Sequence, residues 1–159
     1  MNITVICLGK LKEKYLRDAI DEYAKRISSY GKLDVIELNP VRLSDNPSQT
    51  EIDNTLQKEA EEIKKKIPNN SYTFALCIEG KEKSSEAFAK VINDAAINGK
   101  SNITFIIGSS FGLSPEIKTL ADNRLSFSPM TFPHQLMRVM LLEQIYRAFQ
   151  INNNGKYHK

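Results

Sequence analysis

The sequence predicts an α/β domain with a parallel sheet covered by helices on both faces. Three observations lead there. Short apolar, strand-like runs alternate with segments of helical periodicity along the chain, which is the pattern of repeated βαβ units. The 159 residues contain no repeat and no linker, so residues 1–159 read as one domain. With 41% hydrophobic residues, a chain of this length hides roughly 70% of its unfolded surface and needs no disulfide or metal to support its core.

Ile3 to Leu8 is a buried strand that Gly9 ends. From Lys12 to Tyr30, Leu16, Ile20, Tyr23, Ile27 and Tyr30 recur at intervals of 4, 3, 4 and 3, one face of a helix that Gly31 stops. Leu33 to Leu38 is the second strand. After a polar loop through Pro47, the capping box Ser48-Gln49-Thr50-Glu51 opens a helix carried by Ile52, Leu56, Ala60, Ile63 and Ile67 up to Pro68. The Glu/Lys-rich remainder of that helix reads as a solvated face. Tyr72 to Ile78 is a third strand ending at Glu79-Gly80. Ser84 caps a helix carrying Phe88, Val91, Ile92 and Ala95, which Asn98-Gly99 closes. Ile103 to Ile107 is the fourth strand, leading into Gly108-Ser109-Ser110-Phe111-Gly112. Ser114-Pro115 starts a short helix with proline at its first position, and Leu125 to Phe127 is a fifth strand.

The last helix, from Pro133 to about Phe149, sets Leu136, Val139, Met140, Leu142, Ile145, Tyr146 and Phe149 around nearly its whole circumference. A helix apolar on all sides must be buried on all sides. If the sheet covers one flank, the other needs a second surface, so a homodimer built on this helix is expected.

Several function classes fall away. Cys7 and Cys77 lie in strand-like runs, suited to buried reduced thiols, and without CxxC spacing no metal site is expected. No apolar run approaches the roughly 20 residues of a membrane span, and the N-terminus lacks a signal pattern, so a cytoplasmic protein without membrane contact is expected. GxGxxG, the P-loop and G-x-S-x-G are all missing, which removes the dinucleotide, P-loop and α/β-hydrolase readings. Gly9, Gly80 and Gly108 do sit at strand ends, where parallel sheets bind ligands.

The net charge of +3 is small, but unevenly placed. Residues 1–50, 51–100 and 101–128 carry net +1, −1 and 0, and the whole excess lies in residues 129–159, with both histidines. There Glu143 and Arg147, and likewise His134 and Arg138, stand at i, i+4 on an otherwise apolar helix. Burying such charges costs several kcal/mol unless they are paired. One explanation is a structural ion pair with a histidine capping the helix start; the other is a polar pocket at the dimer seam.

These residues carry a resemblance. Thr131-Phe132-Pro133-His134-Gln135-Leu136-Met137-Arg138, then Leu142 to Phe149, then the terminal Tyr157-His158-Lys159, closely resemble the RlmH family of RNA methyltransferases in the SPOUT superfamily. Gly9 to Lys12, Gly80-Lys81 with Ser84-Ser85-Glu86, and Gly108 to Leu113 match as well, so the resemblance spans essentially the whole chain. It implies a C-terminal trefoil knot, which folding rules alone would not propose. It also implies a homodimer that uses S-adenosylmethionine to methylate N3 of a pseudouridine in 23S rRNA of the assembled 70S ribosome. By the family pattern the donor lies against Leu76, Gly108 and the loop Phe127-Ser128-Pro129-Met130-Thr131-Phe132. The family commonly has a second glycine after the first, where this chain has Ser109.

Removing the imide proton from N3 calls for a base or for cations that stabilise the developing anion. His158 and Glu143 are the candidate bases, with Arg147 and Arg138 as electrostatic partners and Tyr157 as a platform that stacks on the target base. His134 is expected to shape the donor loop. The tract Asn152-Asn153-Asn154-Gly155-Lys156 has the composition of a mobile hinge. A non-catalytic ribosome-associated or nucleotide-binding module is the rival reading; it explains the sheet and glycines but not the Glu143/Arg147 pair or the Tyr-His ending.

Overall fold

Which face each strand presents follows from its alternation. In the computed structural model, which describes all of Met1–Lys159, strand β1 (Asn2–Leu8) sends Ile3, Val5 and Cys7 into one core and Ile6 and Leu8 into another. Both faces of a strand can be apolar only if both are covered. The remaining elements supply the cover: α1 (Lys14–Ile27), β2 (Lys32–Leu38), α2 (Gln49–Lys66), β3 (Ser71–Glu82), α3 (Ser85–Ile97), β4 (Asn102–Ile107), α4 (Pro115–Leu120), β5 (Asn123–Ser126) and α5 (His134–Asn152). The five strands form one parallel sheet in the order β2-β1-β4-β3-β5. Helices α1, α3 and α5 pack on one face around Phe74, Phe88, Phe105 and Ile145, and α2 and α4 cover the other around Ala60, Ile63, Ile106 and Ile117. Each large side chain fully buried this way contributes about 1.5–3 kcal/mol.

The expected helix signals form as read. Ser48 accepts from the Glu51 amide while Glu51 accepts from the Ser48 amide, closing the capping box. Ser84 and Ser114 accept from the Ala87 and Ile117 amides, and Pro115 is the first residue of α4. Gly99, at φ +81°, ends α3 with the paired Gly99→Ala96 and Lys100→Ala95 bonds of a Schellman turn.

Other readings shift. Helix α1 is shorter than its periodicity suggests, and Gly31 is no helix cap: a Cβ there would strike the Met1 carbonyl, so it marks a close approach of backbones. Strand β3 does not end at Gly80 but runs to Glu82, because residues 77–80 leave the ladder and return to it. Leu76 and Lys81 both pair with Leu125 of β5 across that excursion. Gly80 allows the return, since a Cβ would lie 2.8 Å from the Arg124 carbonyl carbon. The Asn-rich tract is a defined turn. Asn154, at φ +55°, and Gly155 donate back to Ile151 and Gln150, ending α5 in the same 6→1 and 5→2 pattern and sending the tail back along the helix.

Helix α5 finds most of its cover within its own chain. It lies against both α1 and α3 above the sheet, so its all-round apolar surface has three neighbours, and Leu136 alone of its large apolar residues is well exposed. No helix is long and apolar enough to cross a membrane.

Candidate active site

The chain passes from β3 to β4 over one face of the sheet and from β4 to β5 over the other, which opens a crevice at the carboxyl ends of these strands. A cavity of about 390 Å³ occupies it, within the size range of small-ligand sites. One wall is the excursion Cys77-Ile78-Glu79, a second is Gly108 to Leu113, and a third is Leu125 to Ser128 with Met130, Thr131 and Phe132. His134 and Met137 from the first turn of α5 close one side, and Lys118, ion-paired to Glu79, closes another. Gly108 is required by the fold of its loop. The loop doubles back through a Gly112→Ser109 hydrogen bond of 2.9 Å, and a Cβ on Gly108 would meet the Gly112 carbonyl.

Of the expected donor-site residues, Leu76, Gly108, Phe127, Ser128, Met130, Thr131 and Phe132 all line this cavity, and Pro129 does not. His134 lines it too but caps nothing, because Pro133 precedes the helix without a side-chain cap.

A second assembly forms where the tail returns along α5. Arg147 donates through Nε (2.8 Å) and Nη2 (2.7 Å) to Glu143 Oε1, and the Tyr157 hydroxyl donates to Glu143 Oε2 at 2.9 Å. The Arg147 guanidinium also sits over the Tyr157 ring, 4.6 Å from its centroid. Burial, followed by the Glu143 carboxylate, pushes the phenols of both Tyr23 and Tyr157 upward. His158 bridges Arg147 Nη1 (3.2 Å, at Nδ1) and Glu86 Oε1 (2.8 Å, at Nε2). A guanidinium only donates, so Nδ1 is the acceptor and Nε2 carries the proton that Glu86 receives. His158 in turn is the chief cause that holds the Glu86 carboxyl down, at about 2. Glu143, Arg147, Tyr157 and His158 are thus one hydrogen-bonded group.

Arg138, expected beside Arg147, is not part of that group. It is 2% exposed and reaches the other end of the sheet, donating to Glu37 Oε2 (2.8 Å) and to the Gly9 carbonyl (2.5 Å). The i, i+4 spacing to His134 suggested a local partner, whereas the real one is distant in sequence.

No residue of the hydrogen-bonded group lines the cavity. A smaller pocket lined by Lys83, Ser84, Ser85, Phe88 and Gln144 shares Leu125, Ser126 and Phe127 with it, and Ser85 donates to Gln144 at 2.7 Å, one residue from Glu86. Glu143 and Glu86 are the chain neighbours of Gln144 and Ser85, which line the smaller pocket but not the cavity.

Sequence reasoning missed Glu86 as a partner of His158, although Ser84-Ser85-Glu86 had been singled out. It also missed the excursion Cys77–Glu79. Cys77 is half-buried and faces the cavity, contrary to the expectation of a buried thiol, whereas Cys7 is fully buried. Burial pushes both thiols up, Cys7 to about 12. In the native protein at pH 8, a thiol reagent is therefore expected to label Cys77 slowly and Cys7 only after denaturation. Mass spectrometry of the labelled peptides checks this, and comparable native rates at the two sites would contradict the burial pattern.

A family described as "Predicted SPOUT methyltransferase" matches residues 1–158. The chain is 58% identical over 159 residues to the putative ribosomal RNA large subunit methyltransferase H of Methanococcus maripaludis, covering 100% of both chains. It is 55% identical, again over 100% of both, to the ribosomal RNA large subunit methyltransferase H of Clostridium novyi. Among solved structures it resembles a probable methylase family protein from Haemophilus influenzae, with a TM-score of 0.53, 14% identity, and coverage of 99% of this chain and 70% of that one. At that identity the likeness concerns the fold alone.

Proposed function

Because the chain belongs to the SPOUT methyltransferase family, we propose that it methylates N3 of a pseudouridine in 23S rRNA of the assembled ribosome, with S-adenosylmethionine as donor. The observation that carries this reading is that one chain holds both a ligand-sized cavity at the carboxyl ends of its strands and the hydrogen-bonded polar group of Glu143, Arg147, Tyr157 and His158. A non-catalytic binding module has no use for that arrangement. The names of the related proteins above support large-subunit rRNA as the substrate.

The cavity fits the donor by its volume, its largely apolar walls, and the two loops that line it at Gly108 and at Ser128. Leu76, Gly108, Phe127 and Met130 to Phe132 would hold it. When bound, S-adenosylmethionine supplies an electrophilic methyl group on a sulfonium. The chain's own residues prepare the acceptor. Tyr157 offers an aromatic face to the target base. Arg147, already paired with Glu143, is a fixed cation for the negative charge that develops on the imide as its proton leaves. Glu143 accepts from both Arg147 and Tyr157, which suits it to orient them rather than to act as base. His158 takes the N3 proton, and to do so its Nδ1 must turn away from Arg147. Most of the rate then comes from holding base and donor in line.

The homodimer belongs to the same reading. Ile78 and Phe111 on the cavity's rim are about half exposed and Met130 is 73% exposed, an apolar collar that a second copy would cover together with Leu136. The trefoil knot is part of the same reading and rests on membership of the SPOUT methyltransferase family. Work on ribosomes gives the protein a cytoplasmic place.

The test is transfer of tritium from methyl-labelled S-adenosylmethionine to 70S ribosomes and to free 23S rRNA, followed by mapping of the labelled nucleotide. Label on one pseudouridine of the ribosomal 23S rRNA is expected; no transfer to either substrate would overturn the reading.

A further inference from the structure

Helix α2 buries an acid that has no cation. Glu59 is 4% exposed, and no Lys, Arg or His forms an ion pair with it. A carboxylate in such a place is costly unless its oxygens are hydrogen-bonded. Both are, and each by a different loop. Oε1 accepts from the Ser109 hydroxyl at 3.0 Å, and Oε2 accepts from the Val41 amide, in the loop after β2, at 3.2 Å. Burial pushes the carboxyl up, and these two bonds oppose it.

Ser109 is no bystander in its loop. Its carbonyl accepts from Gly112 in the turn that folds Gly108 to Gly112 against itself, and the residue lines the large cavity. A side chain that fixes Ser109 therefore fixes the one wall of the cavity made only of loop. Glu59 approaches from behind that wall and does not line the cavity, so it cannot act by touching a ligand.

From this geometry we infer that Glu59, acting through Ser109, is a positioning residue for the methyl donor: it holds the Gly108–Gly112 loop in its receiving shape and ties it to the loop after β2. This rests on the reading of the cavity as the donor site.

The full-length protein tests it by two measurements: the affinity for S-adenosylhomocysteine by calorimetry, and amide hydrogen exchange of residues 109–113 without ligand. Removing a hydrogen bond to a charged group predicts roughly tenfold weaker binding and several-fold faster loop exchange for Ser109→Ala. Glu59→Ala should do the same, and the double variant should bind no more weakly than Glu59→Ala alone. Glu59→Gln is the rescue. Its amide oxygen can accept from Val41 while its nitrogen donates to Ser109, so binding should stay within about threefold of the parent. Should Glu59→Ala fail to fold, Ser109→Ala and Glu59→Gln still decide. Parental affinity and exchange in Ser109→Ala, losses that multiply in the double variant, or no rescue by Gln would each overturn the inference. If the parent itself binds no S-adenosylhomocysteine, the donor-site reading fails and the positioning role fails with it, whereas the tether of the loop is still judged by exchange.

Discussion

Deleting residues 156–159 leaves a protein that folds and binds S-adenosylmethionine but transfers no methyl group. The tail rests on its own helix by a few contacts: Tyr157 on Glu143 and Arg147, and His158 on Arg147 and Glu86. All involve half-buried or exposed groups, so their loss costs about 1–3 kcal/mol, against a total stability of about 5–15 kcal/mol for a domain of this kind. None of the deleted residues lines the cavity. The proposed chemistry, by contrast, loses its proton acceptor, worth about 10²–10⁴ in rate, and the aromatic platform for the base. Transfer to 70S ribosomes should thus fall by at least about 10³, with the S-adenosylhomocysteine affinity close to that of the full chain and the melting temperature lower by about 3–10 °C. Tyr157→Phe, which keeps the ring and loses only the bond to Glu143, should retain far more activity than His158→Ala. Full transfer by the truncated chain would end the role given to both residues.

Much of the fold could be read because it is written locally. The alternation Ile3, Val5, Cys7 against Ile6 and Leu8 and the capping box at Ser48 involve residues within one turn or one strand. The strand-end glycines pointed to the crevice for a related reason, since parallel strands end where loops can hold a ligand, whereas Leu76 and Phe127–Phe132 came from the family resemblance. What escaped was either non-local or hidden by composition. Strand β3 leaves and rejoins β5 at Cys77–Gly80, and Glu79-Gly80 reads as an ending because nothing nearby reveals that Lys81 pairs again. Glu59 is hidden by composition, because the Glu/Lys-rich helix around it reads as a solvated face. Its spacing held the signal all the same: it stands three residues after Leu56 and four before Ile63, on the buried face. Helix α5 is covered from within the chain as well. Its lack of a polar side argued for a second subunit, yet α1 and α3 supply two of the walls, so the argument for a dimer moves to the apolar collar at the cavity.

Arg138→Ala should lower the unfolding free energy by about 2–4 kcal/mol, the largest stability loss expected of any charged residue in the C-terminal segment. Its guanidinium ties α5 to the ends of β1 and β2 by holding Glu37 and the Gly9 carbonyl, and Glu37 through the same oxygen accepts from the Leu11 amide. Breaking a buried ion pair costs about 3–5 kcal/mol when the abandoned charge stays buried. Glu37 is 36% exposed and can turn to water, which reduces the loss, and the Arg138 Nε, buried without a partner, was already a cost in the parent. The Gly9 carbonyl and the space left between α5 and the strand ends are not relieved in this way. For a chain of this length the melting temperature should fall by about 5–15 °C. Arg147→Ala should behave in the reverse manner. Its pair with Glu143 is partly exposed on both sides, so stability should change by about 1 kcal/mol or less while methyl transfer collapses. Urea unfolding and transfer assays on the two variants separate a cation that holds the fold from one that serves the chemistry. Equal stability losses would mean that burial has been given too much weight in assigning the two arginines their different tasks.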